Sequence, residues 1–499
     1  MKIQFNKYIK YGLFSVCMAA SLSACKKHYE QLNTDPNEPS STSTSFLLSN
    51  AQKYMMDFTW DEWFNSRRGN QLAQYWASNQ YSNESRYAFR VGVTNNYWSY
   101  FYSRPLQDLQ EIIRLNETAP NDYIGFGKTE NQIAVAKVLQ AWLYQNMTDC
   151  WGPIPFSQAL QGAEYPFPKY DSQKEVYTGL LAKLDEAINA FDVSDNSLKG
   201  DVIYDGDVVK WKKLANSLKM RVALRMADVE PTTAATAVSE AIASGVFESN
   251  ADNALFSYVA GAPNNNPQSE DYKTRNDFAA SSTMVDELQR LNDPRVGFYY
   301  APAVNSGNYV GEVYGLSEAN AALTANDDIS QRNAQVLAES APGIYLDYAQ
   351  VEFMLAEAAE RGISGAGDAA THYNNGITAS MQFWDAQATL SLTDINNYIA
   401  QATVDYNTLR GSESWKKIIG RQKWIALYMQ GIQGWAEYRR LDFGILQAPA
   451  DGTLEGTSIP HRMIYPNDEQ TLNGDKYAEG VSLLGGTDNL DTKLWWDVN

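Results

Sequence analysis

Bond-making chemistry needs nucleophiles, bases or metal ligands gathered at readable spacings, and this chain offers few. Its three histidines, His28, His372 and His461, are scattered singles and read as structural or solvated side chains. No acidic loop has the spacing of a calcium hand; Asp205-Gly206-Asp207 reads as a turn running into a helix cap. Gly125-Phe126-Gly127-Lys128-Thr129 imitates the end of a phosphate-binding loop. The first glycine of that motif would fall on Asp122, whose carboxylate repels phosphate, and no strand clearly precedes it. No serine sits in a Gly-x-Ser-x-Gly elbow. Two carboxylates about 5 to 9 Å apart suffice for a glycosidase, so 59 Asp and Glu neither support nor exclude one. No metal or cofactor is expected, and binding without catalysis is the expected chemistry.

The residues that stand out for binding are aromatic. Thirty-one Tyr, 18 Phe and 13 Trp make up 12% of the 499 residues, and rings with a polar tip suit a surface that stacks on sugars or proteins. The densest stretch runs from Trp60 to Tyr102, with Asn79, Asn83, Asn95 and Asn96 interleaved. Sugar binding wants rings for C–H faces and amides or acids for hydroxyls. Trp76, Tyr81, Asn83 and Tyr87 are therefore the first candidates, followed by Tyr272, Tyr300, Tyr309 and Tyr314 on the later loops. Trp98, at helical spacing from Phe101 and Tyr102, is assigned to packing. A net charge of −19 argues against nucleic acid as partner.

The first 24 residues read as a targeting signal. Lys2, Lys7 and Lys10 precede an apolar run, Gly12 to Leu22, too short to span a bilayer. It ends in Leu22-Ser23-Ala24-Cys25, which looks like the lipobox of bacterial lipoproteins, so Cys25 is the expected lipidation site. Cleavage would remove three lysines and no acid, taking the net charge from −19 to −22. Of the three cysteines Cys17 would leave with the signal and Cys25 would be acylated, so Cys150 has no disulfide partner. Residues 25–45 are polar and read as a tether, and 46–499 as a single folded domain, with no compositional step inside it.

Helical periods place most of that domain. They run over Phe46–Phe58, Leu106–Asn116, Gln132–Met147, Ser172–Phe191 with a Ser172/Glu175 capping box, Asp207–Ala227 closed by Pro231, Thr233–Ala243, Ser282–Leu291, Tyr348–Arg361 and Ala369–Trp384. Helix pairs recurring roughly every 35 to 45 residues suggest a tetratricopeptide-like array. Phe256–Asp277 and Tyr299–Leu337 read as long irregular loops, the usual bearers of function. Trp424 to Asp442 reads as one core helix. Trp424, Tyr428, Gly431, Ile432, Trp435 and Tyr438 lie on one face, with Lys423, Glu437, Arg439 and Arg440 outward or at the rim. Gly431 and Gly434 would each cost it roughly 1 kcal/mol, an expense that makes sense only if another backbone packs closely there.

That stretch, with Gln422-Lys423-Trp424-Ile425-Ala426-Leu427 leading it and Gly434-Trp435-Ala436-Glu437-Tyr438-Arg439-Arg440 closing it, resembles the C-terminal signature of SusD/RagB-type lipoproteins. Its nearest likeness is to their SusD-like, starch-binding branch. Asn33-Thr34-Asp35-Pro36-Asn37, Trp151-Gly152-Pro153-Ile154-Pro155, Leu291-Asn292-Asp293-Pro294-Arg295, Tyr348 through Glu357-Ala358, and Arg462 through Tyr465-Pro466 agree in order along 25–499. The resemblance implies a mostly α fold of tetratricopeptide-like helix pairs, with long irregular loops forming the ligand face. It implies a lipid-anchored, surface-exposed outer-membrane protein. Such a protein captures oligosaccharide or another nutrient for a SusC-type, TonB-dependent barrel and does not hydrolyse it. Lys26-Lys27 departs from the acidic cluster that often accompanies surface export in this family. An adhesion or scaffolding lipoprotein, a peptide-binding RagB-like protein and a lipid-anchored glycosidase stay open beside that reading.

Overall fold

Local capping explains where several helices begin. The Ser172 hydroxyl accepts from the Glu175 backbone N–H while the Glu175 carboxylate accepts from Ser172, and a helix follows over Gln173–Ala190. Asp207 caps the next more simply, its side chain accepting from the Lys210 backbone N–H, at the end of a turn in which Asp205 and Gly206 take left-handed backbone angles. The computed structural model describes residues 42–453 and 459–499. The expected signal peptide, Cys25 and most of the expected tether lie outside the described residues. The end of that tether is corrected: helix begins at Thr44, which is buried and bonded through its hydroxyl to Gln132.

The chain is mostly α. Its main helices are α1 Thr44–Trp60, α2 Val91–Phe101, α3 Gln107–Thr118, α4 Thr129–Trp151, α5 Gln173–Ala190, α6 Val208–Arg225, α7 Pro231–Ser244, α8 Pro267–Tyr272, α9 Ser282–Arg290, α10 Tyr348–Glu360, α11 Ala369–Trp384, α12 Trp415–Ala426, α13 Gly431–Leu441 and α14 Asn467–Leu472. Neighbours in sequence pack on one another (α3 on α4, α4 on α5, α5 on α6, α6 on α7, α10 on α11), giving the expected tetratricopeptide-like pairs. Pro231 does not close α6 but opens α7, at the first position where its missing N–H is harmless. Residues 44–499 form one unit of contacts. No helix among the described residues is long and apolar enough to cross a membrane.

Strands are short: β1 Trp76–Ser78, β2 Ile154–Pro155, β3 Tyr170–Asp171, β4 Ala254–Phe256, β5 Phe278–Ala280, β6 Tyr300–Ala301, β7 Gln331–Arg332 and β8 Gly343–Leu346. They pair antiparallel as β1–β5, β2–β3, β4–β8 and β6–β7. The loops expected over 256–277 and 299–337 thus contain α8, β6 and β7, elements too short to leave a period in the sequence.

The Trp424–Asp442 stretch is two helices, not one. α12 ends at Ala426, Met429 turns left-handed at φ +71°, and α13 starts at Gly431. The close approach expected at its glycines is real. A Cβ on Gly431 would lie 2.1 Å from the carbonyl carbon of Gly69, and one on Gly434 would lie 2.2 Å from the Tyr75 hydroxyl. The charged residues placed at the rim are instead buried. Lys423, Glu437, Arg439 and Arg440 each expose 3% or less of their surface. Glu437 receives Lys423 and Arg225 at 3.1 Å and Arg440 at 2.6 Å, and Arg440 also holds Glu357 at 2.6 Å. Burial alone would push the Glu437 carboxyl up, but these three cations together hold it well below the usual carboxylate range. Charges that α13 cannot neutralise alone are thus matched by α6, α10 and α12, which is why they can be interior.

Candidate functional site

A cluster of rings and arginines forms where the π-helical segment Glu62–Gly69 meets the loop after β1, the end of α8 and strand β7. Asp61 caps the π-helical segment, accepting from the N–H groups of Trp63 and Phe64 at 3.0 and 2.8 Å. Half-buried Trp63 lies beside two guanidinium groups, Arg67 at 4.9 Å and Arg90 at 4.7 Å from its ring centre. Tyr81 keeps 43% of its surface exposed and sits at φ +53°, with Arg275 at 4.6 Å on its ring and Arg67 at 5.7 Å. Non-glycine residues take that conformation at a cost and keep it where the surroundings impose it, often at ligand sites. Tyr272, at the end of α8, is 38% exposed, with Arg332 at 5.0 Å from its ring.

Carboxylates lie among the cations. Arg67 bonds Glu62 through Nε at 2.9 Å and Nη2 at 2.6 Å, and it also bonds Asp277, which Arg275 holds at 2.7 Å. Burial is the main reason the Asp271 carboxyl is pushed up to about 7; its hydrogen bond to Glu62 and the charge there add to it. Near neutral pH Asp271 therefore holds its proton far more readily than a free aspartate. The direct contact of Asp271 with Glu62 also differs from the spaced pair that glycoside hydrolysis requires. The buried guanidinium of Arg332 is held below its usual range by desolvation, and its Nε and Nη1 have no hydrogen-bond partner among the described residues. Asp271 Oδ2 and Arg67 Nη1 are in the same condition. Exposed ring faces beside donors and acceptors can stack on a sugar and bond its hydroxyl groups.

The eight sequence candidates divide. Tyr81, Asn83 and Tyr272 are exposed in this region. Tyr309 is half-buried, its hydroxyl close against Gly297. The other four are corrected to interior positions. Trp76 is fully buried, donates to the Tyr428 hydroxyl at 3.0 Å and carries Arg332 on its face at 4.9 Å. It thus supports the layer beneath Tyr272 and offers no face of its own. Tyr300 is buried and donates to the Tyr75 carbonyl at 2.6 Å. Tyr87 and Tyr314 are buried, and neither hydroxyl has a hydrogen-bond partner among the described residues. Strand β1 and the β6–β7 pair lie inside, so rings there pack. Sequence reasoning did not select Trp63, Arg67, Arg275 or Arg332. Arg67 stands four residues after Trp63, a legible helical spacing, but nothing local joins either to Arg275 or Arg332 more than 200 positions away.

Residues 36–466 match a family described as SusD-like, starch-binding and associating with the outer membrane. No curated protein matches the chain. Among solved structures, a chitin-binding protein is 27% identical with a TM-score of 0.80, over 92% of this chain and all of that one. A SusD homologue from Bacteroides uniformis is 26% identical with a TM-score of 0.76, over 91% and 100%. A chitin-binding SusD homologue from Flavobacterium johnsoniae, 24% identical with a TM-score of 0.77 over 91% and 99%, shares the fold. The helix pairs, the loop-borne ring cluster and the match across most of the sequence lead to one conclusion: the chain belongs to the SusD-like family of outer-membrane-associated, glycan-binding proteins.

Proposed function

We propose that this protein is a cell-surface lipoprotein, anchored through Cys25, that binds oligosaccharide at Tyr81, Tyr272 and Trp63 and passes it unhydrolysed to a SusC-type, TonB-dependent barrel. One observation carries the site: Tyr81 and Tyr272 stay exposed while arginines on Arg275, Arg67 and Arg332 hold their rings in place. Rings fixed before binding lose little conformational freedom on meeting a ligand. Asn83, exposed on the Tyr81 loop, is placed to add an amide to the hydroxyl contacts. The similarity to a chitin-binding protein at 27% identity makes N-acetylglucosamine oligomers the first ligand to try, with starch oligomers beside them because the family is described as starch-binding.

The test is calorimetric titration of chitohexaose and maltohexaose into the Cys25→Ser protein, with the sugar analysed afterwards. Saturable binding with the oligomer recovered intact is expected, and about tenfold weaker binding, near 1.4 kcal/mol, for Tyr81→Ala or Tyr272→Ala. Shortened product would contradict the non-catalytic part. Indifference of binding to both substitutions would contradict the site.

A further inference from the structure

A second recess lies away from these rings, between the latter half of α2, the loop joining β2 to β3, and α14. It encloses about 440 Å³ and opens to solvent along one side, within the range of small-molecule sites. We propose that this groove is a second saccharide-binding site, taking a short neutral segment of the same class of glycan; the inference rests on the glycan-binding reading above.

The first argument is rigidity. Trp98 forms part of the wall and is locked edge-on to Trp151 at 5.3 Å and stacked on Tyr170 at 6.0 Å. Tyr102 beside it is fixed by its hydroxyl bond to the Pro155 carbonyl at 2.6 Å. Pro155, Pro166, Pro168 and Pro466 stiffen the remaining backbone. Such a wall does not collapse into the space it borders.

Chemistry narrows the occupant. No lysine or arginine is among the described residues that line the groove, and two carboxylates, Asp468 and Glu469, are. Anionic ligands are therefore disfavoured. Each carboxylate already accepts from protein, Asp468 from Asn95 at 2.9 Å and Glu469 from the Tyr170 hydroxyl at 2.8 Å. An ionised carboxylate has about four acceptor positions, so both keep capacity for hydroxyl donors. Ser99 and Ser103 contribute exposed hydroxyls from the α2 side, and Tyr165 a half-exposed ring from the loop. Apolar wall, ring and neutral hydroxyls beside acceptors are what a sugar offers partners for. Trp63, Tyr81 and Tyr272 contribute nothing to this lining, so the two sites are independently removable.

The experiment counts chitotriose molecules bound per chain by calorimetry and equilibrium dialysis, on the Cys25→Ser protein. Two are expected. Ser99→Trp fills the groove from an exposed helical position at which serine and tryptophan have similar helix propensity; it should leave one bound, as should the pair Tyr81→Ala with Tyr272→Ala. Tyr165→Ala, on the opposite loop, should weaken the groove component about tenfold if the Ser99 variant is poorly folded. A count of one, abolished by the Tyr81/Tyr272 pair and untouched by Ser99→Trp, would overturn the second site while leaving the first intact. No binding of chitotriose or maltotriose to any form would overturn both.

Discussion

Two regions of this molecule use the same side chains to opposite ends. Around α13, Arg225, Lys423, Arg440, Glu357 and Glu437 are buried with cations and carboxylates within 3.1 Å of one another. Around Tyr81, arginines and acids are just as dense, and in both regions some guanidinium nitrogens lack a hydrogen-bond partner among the described residues (Arg225 Nε and Nη1 and Arg440 Nε in the first, Arg332 Nε and Nη1 and Arg67 Nη1 in the second), but here two tyrosines remain open to solvent. A buried charge costs several kcal/mol unless it is matched, so a fully buried, ion-paired cluster ties its helices together. A cluster that borders exposed rings has ring faces left for a ligand. The difference separates a part that holds the fold from a part that holds a ligand.

Breaking the first region should have the largest effect. Glu437→Gln leaves Lys423, Arg225 and Arg440 without their shared carboxylate, and urea denaturation should show a loss of about 3–5 kcal/mol. Gly431→Ala drives a methyl into the Gly69 carbonyl, and the same measurement should show about 1–3 kcal/mol or more. Tyr81→Ala should instead leave stability nearly unchanged, within about 0.5 kcal/mol, as surface substitutions usually do, while weakening oligosaccharide binding about tenfold.

The smallest effect is a pH dependence, and it sharpens the comparison. Asp271 titrates at about 7 in the fold against about 3.9 when unfolded. Between those values the folded protein holds the extra proton, so this group's contribution is greatest in acid, falls as pH rises through that window and is flat above about 7. Asp61, also pushed up to about 7 by burial, acts in the same sense despite the Tyr97 hydroxyl and two backbone N–H groups opposing it. Melting temperatures at pH 5.5 and 8 should therefore differ less for Asp271→Asn than for the unaltered protein. An equal difference would remove the raised Asp271 carboxyl from the account.

The helices were legible because periodicity and caps are local: Ser172, Asp207 and the Ala369–Trp384 span lie where the pattern places them. The glycines of α13 announced a close contact without naming Gly69 as its partner. Burial of ring residues was not legible. Trp76 and Tyr81 are five positions apart in one aromatic run, and only the pairing of β1 with β5 sends one inward while a left-handed turn carries the other out. Arg67 is near Tyr81 in sequence, but Arg275 stands almost 200 positions from Tyr81 and Arg332 stands 60 from Tyr272, and those juxtapositions belong to the tertiary fold alone.

The division of labour is tested most directly by one paired measurement: chitohexaose titrated into the Tyr81→Ala, Tyr272→Ala double variant beside the parent, at matched helical content and melting temperature. The expected result is a folded protein whose binding falls at least about tenfold at the primary site. A double variant that binds as the parent does, or that loses binding only because it has unfolded, would contradict the account.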